Sequence, residues 1–176
     1  MHRSETLEAI ILKTYDVGEA DRYCIFFTRE RGRLAARASG VRKPKSRMGG
    51  SMLAFRHVMV ELKESAAGWI VTSVRPKPES APATLSSFAA MAEGTEVLLR
   101  LTQDDEPLPA VFDATVAFFR ACREGIPHAG LAYALRLAHV LGFLPATEEM
   151  ESFFSLSPEE HFFIDSVREG FFLRSP

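Results

Sequence analysis

Apolar and polar residues alternate in short runs between residues 5 and 74, with the two-residue period of β-strands. Segments rich in glycine or charge separate these runs. The pattern predicts strands over residues 5–14, 22–28, 33–37, 52–62 and 69–74, with turns over residues 15–21 and 64–68. The first run is apolar at successive positions, which predicts a strand covered on both faces.

The period lengthens to that of an amphipathic α-helix after a segment, residues 75–82, that contains three prolines. Helices are predicted over residues 85–101, from the acidic residues 104–106 to Gly125, over residues 131–143, and from Ser157 to Gly170. Gly94 weakens the first of these predictions.

Five short strands within the first 78 residues suit a small closed barrel, and the five-stranded barrel that binds nucleic acid is the OB-fold. The predicted fold class is therefore α+β, with an N-terminal five-stranded OB-fold β-barrel followed by an α-helical bundle. The predicted domains are residues 1–78 for the OB-fold and residues 79–176 for the helices.

Residues 29–47 hold eight Lys and Arg against one acid, Glu30, although the whole chain carries a formal charge of −2. Arg33 and Arg37 fall on one face of the predicted third strand, and Leu34 and Ala36 fall on the other. A basic loop follows, up to two glycines at 49 and 50. A basic strand that continues into a basic loop suits a phosphate backbone, and the alternative is a solvated edge that discourages aggregation.

Charge divides the chain into two halves: residues 1–78 carry +7 and residues 79–176 carry −9. Cys24 and Cys122 lie in apolar runs, which predicts two buried thiols rather than a disulfide. No uncharged apolar run reaches the ~18 residues of a membrane span. We therefore expect a cytoplasmic protein that needs no cofactor.

The order of several short segments resembles the N-terminal domain of the bacterial RecO recombination-mediator proteins. The segments are Ile11-Leu12-Lys13, Gly18-Glu19-Ala20-Asp21-Arg22, Phe27-Thr28-Arg29-Glu30-Arg31-Gly32-Arg33-Leu34, Gly40-Val41-Arg42-Lys43, Lys45-Ser46-Arg47 and Leu53-Ala54-Phe55. Residues 135–145, in which a helix is followed by Gly142 and Pro145, are similar to the helical domain of that family.

The resemblance implies binding of single- and double-stranded DNA, strand annealing, and help in loading RecA. It also implies two protein partners, RecR and the single-stranded-DNA-binding protein. One feature departs from the family: many members carry a four-cysteine zinc module after the Gly–Pro stretch, and residues 145–150 contain no cysteine. We therefore predict no structural zinc.

On an OB barrel, a bound strand crosses strands 2 and 3 and the neighbouring loops. The residues expected nearest the phosphates are Arg33, Arg37, Arg42, Lys43, Lys45 and Arg47, with Arg22, Arg29, Arg31 and Arg56 further out. Tyr23, Phe55 and Trp69 are the aromatic residues nearest to this face, and core packing is the favoured interpretation of each.

The helical half contains a few isolated basic residues among acids and apolar residues, namely Arg120, Arg123 and Arg136. The resemblance suggests that they form a groove for the acidic tail of the single-stranded-DNA-binding protein. Ordinary exposed helix arginines are the alternative.

The sequence lacks the motifs of nucleotide hydrolases, zinc proteases and serine hydrolases. We therefore predict no enzymatic activity. Two alternatives to a DNA-binding mediator stay open. One is a protein-interaction scaffold of the same fold that does not bind DNA, and the other is a metal-dependent nuclease built on acidic clusters at residues 104–106 or 148–161.

Overall fold

The computed structural model describes residues 4–78 and 81–145. The first segment forms five strands: β1 Ser4–Val17, β2 Asp21–Thr28, β3 Gly32–Ala38, β4 His57–Ser65 and β5 Gly68–Pro76. The second segment forms three helices: α1 Leu85–Leu101, α2 Pro109–Glu124 and α3 Ala129–Val140. Strands and then helices follow one another as the change of hydrophobic period predicts.

The five strands close into a barrel in the order β1-β2-β3-β5-β4. The long β1 pairs with both β2 and β4, and a short parallel pairing of β3 with β5 completes the barrel. The prediction of an OB-fold barrel followed by helices is therefore confirmed. The division into domains at residue 78 stays a prediction, since barrel and helices share apolar contacts.

The apolar residues of β1 are buried on both sides of the strand, as the sequence predicts. Ala9 and Ile11 lie in the barrel core, while Ile10 and Leu12 lie in a second core with the helices. All four are fully buried. Strand β1 therefore belongs to the barrel and to the helical layer at the same time.

The segment before β4 is not a strand, so the prediction for residues 52–62 is wrong over its first five residues. Met52 is buried in the barrel core, and Phe55 has a left-handed backbone with φ of 66°. The Phe55 N–H donates a hydrogen bond to the Ile11 carbonyl at 2.7 Å, and the Ile11 N–H donates to the Arg56 carbonyl. These bonds hold a turn against β1 where alternation alone predicts an extended chain.

Two predicted turns are shorter in the structure. Residues 15–17 continue β1 and pair with residues 21–23 of β2, so that the turn contains only residues 18–20. Strand β4 likewise runs to Ser65 and leaves a two-residue turn before β5.

The first helix has the predicted bounds, and its glycine has a packing role. A Cβ atom at Gly94 would lie 2.2 Å from a ring carbon of Phe118 on α2. The Phe118 ring in turn stacks on Tyr133 of α3, with centroids 4.2 Å apart. Because Gly94 has no side chain, it allows all three helices to approach closely.

The acidic residues 104–106 do not start α2, and that prediction is wrong. The helix begins at Pro109, has no acid in its first turn, and ends at Gly125 as predicted. Helix α3 begins at Ala129 and ends at Val140, before Gly142 with φ of 79°. The helix predicted from Ser157 to Gly170 lies outside the described residues.

The prediction that both cysteines are buried is confirmed. Cys24 lies in the barrel core and Cys122 in the core with the helices. Burial raises the pKa of each thiol to about 11.

The helices cover one part of the barrel's outer surface through aromatic packing. Phe27 of β2 lies 6.1 Å from Phe112 of α2, measured between ring centroids. Phe55 makes edge contacts with Phe88 of α1 and Phe119 of α2. Burial of such side chains is worth about 1.5–3 kcal/mol each. This contact therefore fixes the helices on the barrel.

The barrel and the segment between α1 and α2 approach closely at Gly32, the first residue of β3. Gly32 has φ of +69°, and a Cβ atom there would lie 1.8 Å from the carbonyl oxygen of Glu106. Beside it, the Asp105 N–H donates a hydrogen bond to the Arg33 carbonyl at 2.8 Å. The acidic segment between α1 and α2 is therefore docked on the start of β3 by its backbone.

A polar cluster joins β1, β4 and the residue after β5. The Glu8 carboxylate lies 2.8 Å from Nε2 of His57 and 2.5 Å from Nζ of Lys77. Burial raises the pKa of Glu8, but the hydrogen bonds from Lys77 and His57 outweigh it, and the net pKa is lowered. Burial lowers the pKa of His57 by more than its hydrogen bond to Glu8 raises it.

We expect Gly32→Ala to destabilise the protein more than Gly18→Ala. Both glycines have left-handed backbones, at φ of +69° and +57°, but no atom lies within 4 Å of a Cβ at Gly18. Left-handed strain alone costs about 1–2 kcal/mol. The clash with Glu106 should at least double that loss, measured as the free energy of unfolding in urea. Equal losses in the two variants would show that the Glu106 contact is unimportant.

We also expect the protein to lose stability as the pH falls from about 7 to about 5, around the unfolded pKa of histidine. The folded pKa of His57 is lowered, so the unfolded chain binds more protons in this range. The lowered pKa of Glu8 extends the loss to lower pH. Urea unfolding at several pH values measures this slope. His57→Gln should make it shallower, and an identical slope in both proteins would contradict the assignment.

Candidate nucleic-acid interface

The arginines of β3 lie on the outer face of the barrel and its apolar residues point inside, as the sequence predicts. Along β3, Leu34 and Ala36 are buried in the barrel, while Arg33 is half-buried and Arg37 exposed on the other face. Arg37 pairs with Tyr23 of β2, and Arg33 with Phe27. Arg33 and Arg37 therefore share the outer face of β3, and the structure divides the ten basic residues predicted to bind DNA into three groups and Arg56.

The first group lies at the β2–β3 turn and faces the helices. Arg29 forms an ion pair with Asp113 of α2. Arg33 pairs with Asp104 and donates a second hydrogen bond to the Leu99 carbonyl at 2.8 Å. These arginines hold the helical layer to the barrel, and their side chains are occupied by acids.

Arg31 completes this group. Its guanidinium pairs with Glu5 at 3.1 Å, lies 3.8 Å from Asp105, and stacks over the ring of Trp69 at 5.0 Å from the centroid. With Arg29 and Arg33, it connects the barrel to three acids of the helical half. The charge asymmetry of the two halves is thus partly neutralised where they meet.

The second group surrounds the β1–β2 turn at the other end of these strands. Arg22 and Arg42 both pair with Asp16, at 2.9 and 3.3 Å. Arg37 pairs with Asp21 at 2.7 Å. The hydrogen bond from the Gly40 N–H, followed by that from Arg37, lowers the pKa of Asp21. This group remains in contact with solvent while its acids hold it in place.

The third group is Lys43, Lys45 and Arg47, on the loop between β3 and β4. All three are exposed. Within residues 4–78 and 81–145, no carboxylate forms an ion pair with them. They are therefore the basic residues of the predicted interface that the structure leaves most accessible to an anion.

The loop that carries this third group is tied to the barrel at several points. Val41 and Met52 are buried in the barrel core and Met48 packs against it. The Arg42 N–H donates to the Ala20 carbonyl of the β1–β2 turn at 2.9 Å. At Gly49, a Cβ atom would lie 2.6 Å from the Val41 carbonyl oxygen. Apolar anchors thus hold the loop and leave its cations outside.

Arg56, the tenth predicted residue, lies apart from these groups. It is half-buried between Phe55 and β4, and its Nε atom is buried with no hydrogen-bond partner in the part of the chain that the structure describes.

The aromatic residues near this face have three different environments. Phe55 is buried, as predicted, and Trp69 is half-buried beneath Arg31. Tyr23 is 43% exposed, so the favoured prediction that it packs in the core is wrong. Tyr15, which the sequence interpretation placed in a turn, is exposed beside it. The alternation of apolar and polar residues continues beyond Thr14, and this pattern predicts the longer strand.

The three arginines of the helical half lie on two helices. Arg120 is exposed and reaches Glu124 at 4.0 Å. Arg123 is half-buried, and its charge helps to lower the pKa of His57 on the barrel. Arg136 is exposed on α3. Binding of a partner by these residues stays a prediction.

Among the residues that the structure describes, no three His, Cys, Asp or Glu side chains gather as a metal site would require. The two thiols lie in separate cores and do not fit the four-cysteine zinc module. Over the same residues, no helix combines the length and the apolar character that a membrane crossing requires.

Comparison with known families matches nearly the whole chain. Residues 1–72 match the family model described as recombination protein O N terminal, and residues 82–166 match recombination protein O C terminal. The two matches meet between the barrel and the helices.

The chain is also similar to the DNA repair protein RecO of Myxococcus xanthus (strain DK1622). The two are 32% identical over 144 residues, which cover 78% of this chain and 59% of that protein. The chain therefore spans less than two thirds of the length of this curated relative. Both family models and the closed barrel with its helical layer agree, and the chain belongs to the recombination protein O (RecO) family.

Proposed function

We propose that this protein binds single- and double-stranded DNA in recombinational repair, through the phosphate backbone. The observation that carries the proposal is the exposed cluster Lys43, Lys45 and Arg47, which has no acidic ion-pair partner among the described residues. Lys and Arg bind phosphates by charge and release condensed counterions without reading the bases. Binding of this kind tolerates any DNA sequence.

The surface around this cluster supports the same proposal. Arg37 on β3 and Arg42 at the start of the loop each pair with one carboxylate of β2 or β1. An exposed ion pair contributes only about 0–1 kcal/mol, so a phosphate competes with Asp16 for Arg42 at low cost. The Arg37 side chain is 56% exposed, although its partner Asp21 is mostly buried. The DNA-binding surface we propose consists of Arg37, Arg42, Lys43, Lys45 and Arg47, and Arg22 borders it.

Arg29, Arg31 and Arg33 have a different role in this proposal. Each is engaged by acids or backbone at the contact with the helices. We therefore propose that these three stabilise the molecule and do not contact DNA.

Membership of the RecO family supports the wider role. A relative named as a DNA repair protein matches most of the chain. We propose that this protein acts as a recombination mediator that anneals strands and assists RecA loading together with RecR and the single-stranded-DNA-binding protein, and that it has no catalytic activity of its own. In this proposal, the helical half, with Arg120, Arg123 and Arg136, contributes to partner binding.

We expect the variant with Arg42, Lys43, Lys45 and Arg47 all changed to Ala to bind oligonucleotides at least about tenfold more weakly than wild type, about 1.4 kcal/mol. Fluorescence anisotropy over a salt series measures this loss. If about four phosphates are contacted, the slope of log affinity against log salt should be near −3 on single strands. The variant should have a shallower slope.

Two double variants that remove equal charge distinguish the effect of the loop residues from the effect of overall charge. Lys45→Ala with Arg47→Ala and Arg100→Ala with Arg120→Ala each remove two exposed positive charges. Only the loop pair should weaken binding. A loss below about threefold in the fourfold variant, under 0.7 kcal/mol, would rule out this surface. Wild type that binds neither DNA nor heparin would favour the scaffold, and Mg²⁺-dependent cleavage would favour a nuclease.

A further inference from the structure

Three exposed side chains form a row across the strands nearest the proposed DNA-binding surface. Tyr15 of β1 pairs with Tyr23 of β2, and Tyr23 pairs with Arg37 of β3. Side chains of directly opposed residues lie about 4.5–5.5 Å apart at Cβ. Two phenol rings and a guanidinium therefore stand side by side on one face of the sheet.

Neither ring belongs to the two apolar cores that the described residues form. Tyr15 is 49% exposed and Tyr23 is 43% exposed. Within residues 4–78 and 81–145, neither ring packs against another aromatic ring. The third tyrosine, Tyr133, is by contrast buried, stacked on Phe118 and hydrogen-bonded to Thr115. Apolar ring faces are thus left in water beside a polar surface.

The adjacent part of the same sheet face is covered. Ile10 of β1 and Ile25 and Phe27 of β2 lie outside the barrel, and the helices pack over them. Lys13, two residues before Tyr15, is held by Glu96 of α1 at 2.6 Å. Among the described residues, the Tyr15–Tyr23–Arg37 row lies beyond the part of this face that the helices cover.

Basic residues lie on both sides of the row, although Ile70 separates Arg37 from Lys63 and two acids, Asp16 and Asp21, border the β1–β2 turn. In β5 and β4 the register continues from Arg37 to Ile70 and then to the exposed Lys63. On the other side, the backbone bond between Arg42 and Ala20 brings the basic loop against the β1–β2 turn that follows Tyr15. Aromatic faces between cations suit a ligand with both flat rings and phosphates.

We infer that Tyr15 and Tyr23 form a stacking platform for unpaired nucleobases, and that the platform makes the protein prefer single-stranded over double-stranded DNA. This inference rests on the proposed DNA binding through the loop cations. Every base has a π-face, so stacking on an aromatic side chain is tolerant of sequence. In a duplex those faces are covered by neighbouring base pairs, and only the phosphates remain accessible.

The test compares Tyr15→Leu with Tyr23→Leu against Tyr15→Phe with Tyr23→Phe. The Leu pair removes the rings and the Phe pair retains them. We expect the Leu pair to bind an oligothymidine at least about fivefold more weakly than wild type, while the Phe pair stays within about twofold. Binding of a duplex of equal length should be unchanged in both variants. Thermal unfolding checks that both double variants are folded.

A second measurement needs no variant. An abasic strand of the same length keeps the phosphates and lacks the bases. Wild type should bind it at least about fivefold more weakly than oligothymidine, whereas the Leu pair should bind the two strands equally.

The outcomes separate this inference from the proposed function. If wild type binds DNA in a salt-dependent manner but the Leu pair loses no affinity for oligothymidine, the platform is wrong and the charge-led proposal stands. Equal losses on single strand and duplex would also overturn the platform. If wild type binds no DNA at all, both the platform and the proposed function fail.

Discussion

The apolar contact between β1, β2 and the helices determines which surfaces of this molecule are available. Ile10, Leu12 and Phe27 point out of the barrel and are nevertheless fully buried, because α1 and α2 cover them. An OB barrel ordinarily offers the outer face of strands 2 and 3 to its ligand. Here, the helices cover part of that face, at Ile25 and Phe27. The rest of the face and the loops beside it stay accessible.

The same contact determines which basic residues are paired with acids of the helical half. A local count of charge treats Arg29, Arg33 and Lys45 alike, yet the first two are paired with acids from the helical half. The acids at 104 and 105 are separated from Arg33 by about seventy residues of sequence, a distance at which no local pattern operates. The negative charge of the helical half is therefore partly a counterpart to the barrel's arginines, whereas no carboxylate of the described residues forms an ion pair with Lys43, Lys45 or Arg47 of the loop.

Sequence patterns anticipated features that depend on neighbouring residues. The alternation of Leu34 and Ala36 with the arginines of β3, the burial of both cysteines, and the end of α2 at Gly125 all follow from local geometry. The sequence predictions failed where contacts distant in sequence determine the backbone conformation. Phe55 is held in a left-handed turn by bonds to Ile11, although its neighbours alternate like a strand. The acids before α2 resemble a helix start but bind the barrel.

The way the loop is held affects how it can bind. Free lysines on a disordered segment lose conformational entropy when they bind, which costs about 0.5–1.5 kcal/mol for each immobilised side chain, apart from the cost of ordering the backbone. Here Val41, Met48 and Met52 already fix the backbone, and Pro44 restricts φ between Lys43 and Lys45. The loop therefore requires ordering only of its side chains. Tyr15 and Tyr23 stand on paired strands, with two rotatable side-chain bonds each, so their ordering costs still less.

Charge on the loop attracts any polyanion with a strength that salt reduces, whereas the rings act only at short range and are little affected by salt. If the two proposals hold, the two parts of this surface supply different properties: the loop supplies affinity, and the rings distinguish between kinds of strand.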